Sequence, residues 1–259
     1  MLYKHRTSIS SFCVLLINIF LCQTATSQAT LYKDGTTSKT GIDTAALLVR
    51  GDSSSGKKTG RIAAYIVPAG LFGYGYTALK AGALRRIDTQ VQQEVYGKHP
   101  HAPFHADNYL EWAPAVAVYG LDAAGVKGAH KFVDRSILYA LSFALAQVSV
   151  KVLKKNTHQE RPDHSDVYAF PSGHTATAFA GAEFLRQEYK AVSPWYGAGG
   201  YTTAAATGFL RIYNNKHWLS NTLAGAAIGM ASTKLVYWLY QLSGTMIHRK
   251  ERIRGMVDL

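Results

Sequence analysis

Uncharged apolar runs, each closed by basic or polar residues, recur along this chain. The first extends from Phe12 to Cys22 and is interrupted only by Asn18. As a helix it would reach about 16 Å, roughly half the hydrocarbon thickness of a bilayer. With Lys4 and Arg6 before it and Ala25, Ser27 and Ala29 after it, residues 1–27 read as a secretory signal. A stretch rich in Gly, Ser, Thr and Lys follows and reads as a linker over 28–60. Ile62 to Leu79 carries no charge and is a spanning candidate, weakened by Pro68. Residues 80–108 turn polar, but Ile87, Val91 and Val95 recur at every fourth position and predict a surface amphipathic helix. Apolar runs return at 109–126 (which also holds Glu111, Pro114 and Asp122), 136–150, 167–182, 191–210 and 218–247. A basic tail, 248–259, closes the chain. No repeat and no period-two alternation is present. The expected fold is therefore all-α, a bundle of about six core helices occupying 61–247.

Composition narrows the class. Charged residues make up 17% of the 259 and hydrophobic ones 47%, against about 25% charged in an average soluble domain. That excludes a disordered chain, while a mean hydropathy of −0.05 excludes one made only of membrane spans. The net charge is +12, and an exported protein this basic suits anionic partners: phosphorylated lipids, lipopolysaccharide or the membrane surface rather than nucleic acid. Both cysteines, Cys13 and Cys22, fall in the expected signal, so the mature chain would carry no thiol chemistry.

Three polar islands interrupt the C-terminal apolar half. Lys154 to Pro162 (KKNTHQERP) follows a helix predicted to end near 153, and Pro162 stops continuation past Arg161. Phe170-Pro-Ser-Gly-His174 precedes a helix-forming run, and its free backbone N–H groups make an anion site at the helix start. Arg211 to Asn221 (RIYNNKHWLSN) places Asn221 one turn beyond His217, if a helix begins near His217. Taken singly, each island reads as interfacial anchoring residues or a structural histidine. Together they put three cations, a helix N-terminus and two imidazoles at helix ends, the equipment of phosphoryl transfer without a metal.

These motifs, Lys-x6-Arg-Pro (154–162), Pro-Ser-Gly-His (171–174) and Arg-x5-His-x3-Asn (211–221), resemble the type-2 phosphatidic acid phosphatase superfamily, which includes lipid phosphate phosphatases, bacterial acid phosphatases and vanadium haloperoxidases. The resemblance implies that Lys154, Arg161 and Arg211 hold phosphate oxygens and that Ser172 and Gly173 add hydroxyl and backbone donors. It implies that His174 protonates the leaving oxygen and that His217 attacks phosphorus to give a phosphohistidine, with no cofactor. Two positions depart from the family pattern: Leu210 stands where the family has Ser, and Asn221 where it has Asp. The family's Asp orients and balances the nucleophilic His; Asn221 could accept the same bond but brings no charge, so Asn221→Asp would be expected to speed phosphorylation. The expected substrate is a lipid-linked phosphate at the cell envelope, in or on the membrane, with the site facing the periplasm. A soluble periplasmic acid phosphatase and a weakly catalytic phospholipid-binding relative remain as alternatives. The sequence leaves the oligomeric state open.

His99, His101, His105 and Asp107 could also be read as metal ligands. Pro100 and Pro103 break that segment, and the simpler expectation is a polar loop with its histidines at solvent and no metal.

Overall fold

A computed structural model describes the backbone over residues 53–257 and the side chains over 65–243. The expected signal and residues 28–52 of the expected linker lie outside the described residues. The elements are α1 (Ser53–Ala78), α2 (Gly82–Gln92, continued by a π turn over Gln93–Gly97), α3 (Asp107–Leu110), α4 (Ala113–Ala123), α5 (Phe132–Thr157), α6 (Gly173–Tyr189), α7 (Pro194–Tyr213) and α8 (Leu219–Val257). The regular structure among the described residues is all helical, as the apolar runs predict. Residues Ile66–Leu259 form one compact unit, and, the start of α1 apart, everything below concerns it.

Helix α6 is the axis, packed against α4, α5, α7 and α8. Nearly every side chain on it is buried, which its small residues make possible. Gly225 and Gly229 of α8 sit against the Ser172 and Ala176 carbonyls, and a Cβ on either would collide with backbone. Gly200 of α7 packs on Leu185 and Ala182, where an added Cβ would press mainly on the Leu185 side chain. A larger core of Val118, Leu138, Phe184, Tyr189 and Tyr237 closes the end of α6 far from its N-terminus. There the Tyr139 and Phe184 rings stack at 4.7 Å.

The charged groups inside this bundle are paired. Glu183, at the middle of α6, meets Arg186, Lys234 and Tyr201. Glu188 binds His130 and the Tyr237 hydroxyl, with Arg135 alongside. An isolated charge buried at these positions would cost several kcal/mol, about as much as breaking a buried ion pair.

Some boundaries differ from those read off the sequence. Helix α1 begins at Ser53, inside the stretch expected as linker, because its Ser, Gly and Lys residues continue as helix into the apolar run. The run 109–126 is not one helix: the chain turns at Glu111–Trp112, leaving α4 with 11 residues, about 16 Å long. The amphipathic helix at 82–92 is present, but its inward face carries a carboxylate. Asp88 is buried and accepts bonds from the Ser220 backbone N–H (2.9 Å) and hydroxyl (2.6 Å). An acid at the first turn of α8 satisfies a free N–H and complements the helix dipole.

Candidate active site

The three islands converge at one end of the bundle, where α5 and α7 finish and α6 and α8 begin. Lys154 lies in the last turn of α5, which ends in a left-handed residue, His158 (φ 46°). The loop that follows is pinned throughout. Ala169 N–H bonds the Gln159 carbonyl at 2.9 Å, the Trp218 indole bonds the Glu160 carbonyl at 2.9 Å, and Asp163 pairs with Lys216. Arg161 pairs with Asp166 at 2.8 Å and reaches the Lys216 carbonyl at 3.3 Å. The Lys154 ammonium donates to the Tyr168 carbonyl.

The N-terminus of α6 is capped by Ser172. Its Oγ accepts from Thr175 N–H at 3.4 Å and from the Thr175 hydroxyl at 2.9 Å, so it acts first as the helix cap. By helix geometry the N–H groups of Gly173 and His174 have no acceptor within α6 and are available to an anion. The Ser172 N–H bonds the Asn221 carbonyl at 3.0 Å, which ties the start of α6 to the start of α8.

His217 is 2% exposed and lies before α8, not on it. Its Nδ1 is 2.8 Å from the Ala169 carbonyl oxygen. A carbonyl can only accept, so Nδ1 carries the proton and Nε2 keeps its lone pair. Burial, and then the positive charges of Arg211, Lys154 and Arg161, hold the imidazole well below its usual pKa, so it is neutral at pH 7. Arg211, Arg161 and Lys154 also act on His174. The set can receive a tetrahedral anion and present a nitrogen nucleophile to it.

The expected contact from Asn221 to His217 is corrected here. That contact assumed a helix starting at His217; with α8 starting at Leu219, the ring turns to Ala169 instead. The Asn221 side-chain oxygen receives the Ser220 hydroxyl at 3.4 Å, and its Nδ2 has no hydrogen-bond partner among the described residues. Nor do other carboxylates stand in for the missing charge: Asp163, Asp166 and Glu183 are committed to Lys216, Arg161 and the Arg186–Lys234 pair.

The segment 99–107, expected as a polar loop with its histidines at solvent, leaves His99 and His105 exposed, but His101 and Asp107 turn inward and the chain through Glu111 lies over the site. His101 stacks on Tyr213 at 3.7 Å, and its ring nitrogens face the His99 and Tyr213 carbonyls. Asn214 clasps both backbone groups of Phe104, at 2.8 and 2.9 Å. The clasp delivers Asp107, fully buried, to the Arg211 guanidinium. It also brings Asn108 Oδ1 to 3.0 Å and Glu111 to 3.7 Å from His174 Nε2. The sequence alone singles out neither Asn108 nor Glu111 for chemistry, and Asp107 only as one of four possible metal ligands. The signal available was a carboxylate, Glu111, interrupting an apolar run, which read only as an obstacle to crossing a membrane. Burial pushes the Glu111 carboxyl up to about 7.

Residues 135–244 match the model of the PAP2 superfamily. A lipid A 1-phosphatase from Porphyromonas gingivalis is 41% identical over 142 residues, which are 54% of this chain and 32% of that protein. The matched segment therefore spans about a third of that relative's length. Among solved structures, the transmembrane PAP2-type phosphatidylglycerolphosphate phosphatase from Bacillus subtilis superposes with a TM-score of 0.51 at 22% identity, covering 68% of this chain and 96% of that one. The LpxE structure from Aquifex aeolicus matches with a TM-score of 0.38 at 21% identity, over 61% of this chain and 87% of that one.

Proposed function

We infer, from the PAP2 superfamily domain that residues 135–244 form, that this protein is a phosphatase that removes phosphate from a lipid-linked substrate through a phosphohistidine on His217. The observation that carries the reading is the bond from His217 Nδ1 to Ala169, which fixes the tautomer and leaves Nε2 as the nucleophile beside three cations. Lys154, Arg161, Arg211 and the backbone at Gly173 neutralise the phosphate oxygens, the role a divalent cation plays elsewhere. Nε2 bonds phosphorus while the P–O bond to the lipid breaks, and His174 gives the leaving oxygen its proton. Water then attacks phosphorus, His174 takes a proton from it, and phosphate departs from His217.

A lipid substrate is favoured by the 41% identity to a lipid A 1-phosphatase and by the surface of α5. This helix is the one among the described residues that is long and apolar enough to cross a membrane. Ile137, Leu141, Val148 and Val152 form an exposed apolar stripe along it. Leu235, Leu239 and Leu242 of α8 are also exposed. In water such a stripe would be a liability; against lipid it is at rest. The helix ends away from the site carry Lys127, Lys131 and Lys190, which supports a cytoplasmic side opposite the site and a site facing the periplasm.

The test is phosphate release from a panel of lipid and water-soluble phosphates, with and without EDTA. Activity that persists in EDTA and is blocked by vanadate is expected, with acid-labile phosphate trapped on wild type and not on His217→Ala. Loss of all activity in EDTA with rescue by Mg²⁺ would overturn the mechanism. Recovery of the protein in the buffer fraction after lysis, with equal activity on soluble and lipid phosphates, would favour a soluble acid phosphatase.

A further inference from the structure

We propose that Glu111 and Asn108, both outside the PAP2-matched segment, are positioning residues that hold His174 as a proton donor toward the leaving oxygen. The proposal rests on the phosphatase reading above. Burial first, and then the charges of Arg211, Arg161 and Lys154, push the His174 imidazole down to about 4, with Asp107 pulling the other way. An acid in that place needs an anion behind it. Asn108 Oδ1, at 3.0 Å, accepts the Nε2 proton and fixes the ring. The Glu111 carboxylate, 3.7 Å from the same nitrogen, supplies the opposing charge. Nε2 is thereby engaged on the side of the 99–111 segment, and Nδ1 is the nitrogen left to serve the leaving oxygen.

The proton account closes. In the first half-reaction the P–O bond breaks, the leaving oxygen takes the Nδ1 proton, and the imidazolium becomes neutral imidazole. In the second, water gives a proton to Nδ1 as its oxygen bonds phosphorus, and the imidazolium returns. Glu111 exchanges no proton with substrate; it serves His174 in its ionised form, which its burial confines to above about pH 7.

Burial disfavours the Glu111 charge, which gives it reason to face a cationic partner. Its side chain is 13% exposed. The groups facing it are Asp107 from α3, Trp112 beside it, Arg211 from α7, Thr177 and His174 from α6, and Tyr139 from α5. Asp107 also favours a charged His174 but is bound to Arg211; Glu111 is the carboxylate that lies 3.7 Å from the ring nitrogen. A purely structural glutamate would gain nothing by facing an imidazole rather than solvent, and burial without a partner is costly.

Glu111→Gln keeps shape and removes charge; Asn108→Ala, at an exposed position, removes the ring's acceptor without burdening the fold. The assay compares kcat on an alkyl phosphate, whose leaving oxygen needs protonation, with kcat on an aryl phosphate, whose leaving oxygen does not. The expected result is a fall of about tenfold or more in the alkyl-to-aryl ratio for both variants, with aryl turnover close to wild type. In parallel, NMR titration of labelled histidine should show His174 releasing its proton about one pH unit earlier in Glu111→Gln. Equal losses on both substrates, or an unmoved His174 titration, would overturn the proposal. If wild type releases no phosphate from any substrate, the phosphatase reading falls by itself, and the titration still decides whether Glu111 serves His174.

Discussion

Replacing Asn221 with Asp puts a carboxyl group at a fully buried position. The family comparison by sequence would make this a gain, because a charge would be restored beside the nucleophile. The structure argues for a loss. His217 Nδ1 is already bonded to Ala169 at 2.8 Å, so the new carboxylate finds no imidazole proton to accept. Its one donor is the Ser220 hydroxyl at 3.4 Å, which is itself held more tightly by buried Asp88 at 2.6 Å. A charge buried without a partner costs about 3–5 kcal/mol. At roughly 2–4 °C per kcal/mol for a chain of this size, the melting temperature should fall by about 10 °C. The sign with pH follows from the direction of the shift: burial raises the folded pKa of the new Asp above its unfolded ~3.9. Below about pH 4 the group is protonated in both states and the variant matches wild type; the deficit opens as pH rises. Thermal unfolding of both proteins from pH 4 to 8 measures this, and single-turnover phosphorylation should show no acceleration. A tenfold faster step, worth ~1.4 kcal/mol, with an unchanged melting temperature at pH 8 would refute the argument. It would mean that residue 221 reaches His217 and that the Ala169 carbonyl does not set the tautomer.

Three further outcomes are expected. Asp107→Asn leaves the Arg211 fork without its buried counter-charge, and kcat/KM should drop by about tenfold or more with weaker vanadate inhibition; unchanged inhibition would dissociate Asp107 from the phosphate clamp. Glu183→Gln strands Arg186 and Lys234 and should cost about 3–5 kcal/mol in unfolding experiments. Glu183 lies nine residues from His174, about 14 Å along α6, so turnover per folded molecule should stay near wild type. Because His217 is held far below its unfolded pKa of about 6.5, its neutral form stabilises the fold above that pH, and the stability is lost as pH falls below it. His217→Gln should flatten that acid limb, and an identical slope in the variant would show that His217 does not contribute to it.

The candidate phosphate-binding and histidine positions stand out in the sequence because the signals that mark them are local. Lys154, Ser172 and Arg211 sit where a helix ends or begins, and helix ends announce themselves through Pro, Gly, Ser and the close of an apolar run. The all-helical fold was legible for the same reason. What could not be read were partners whose sequence separation is large or whose type is silent. Asp107 lies 104 residues from Arg211 and Asn108 lies 66 from His174, and nothing near Asp107 marks it as an anchor rather than a loop residue. The acceptor for His217 is a backbone carbonyl, which every residue has and no motif encodes. Asn221 drew attention as a defect because its partner was inferred from spacing, and a two-residue shift in the start of α8 redirected the ring.

The cover over the site arrives on a different stretch of chain from the machinery beneath it. Lys154 through Asn221 fall within the matched segment 135–244, whereas Asp107, Asn108 and Glu111 precede it. The two stretches are joined at a few points: Asn214 and His101 clasp 99–112 to the body, and Asp107 meets Arg211. On the proposed roles, a substitution at 108 or 111 would change leaving-group preference while every motif residue from 154 to 221 stays as it is.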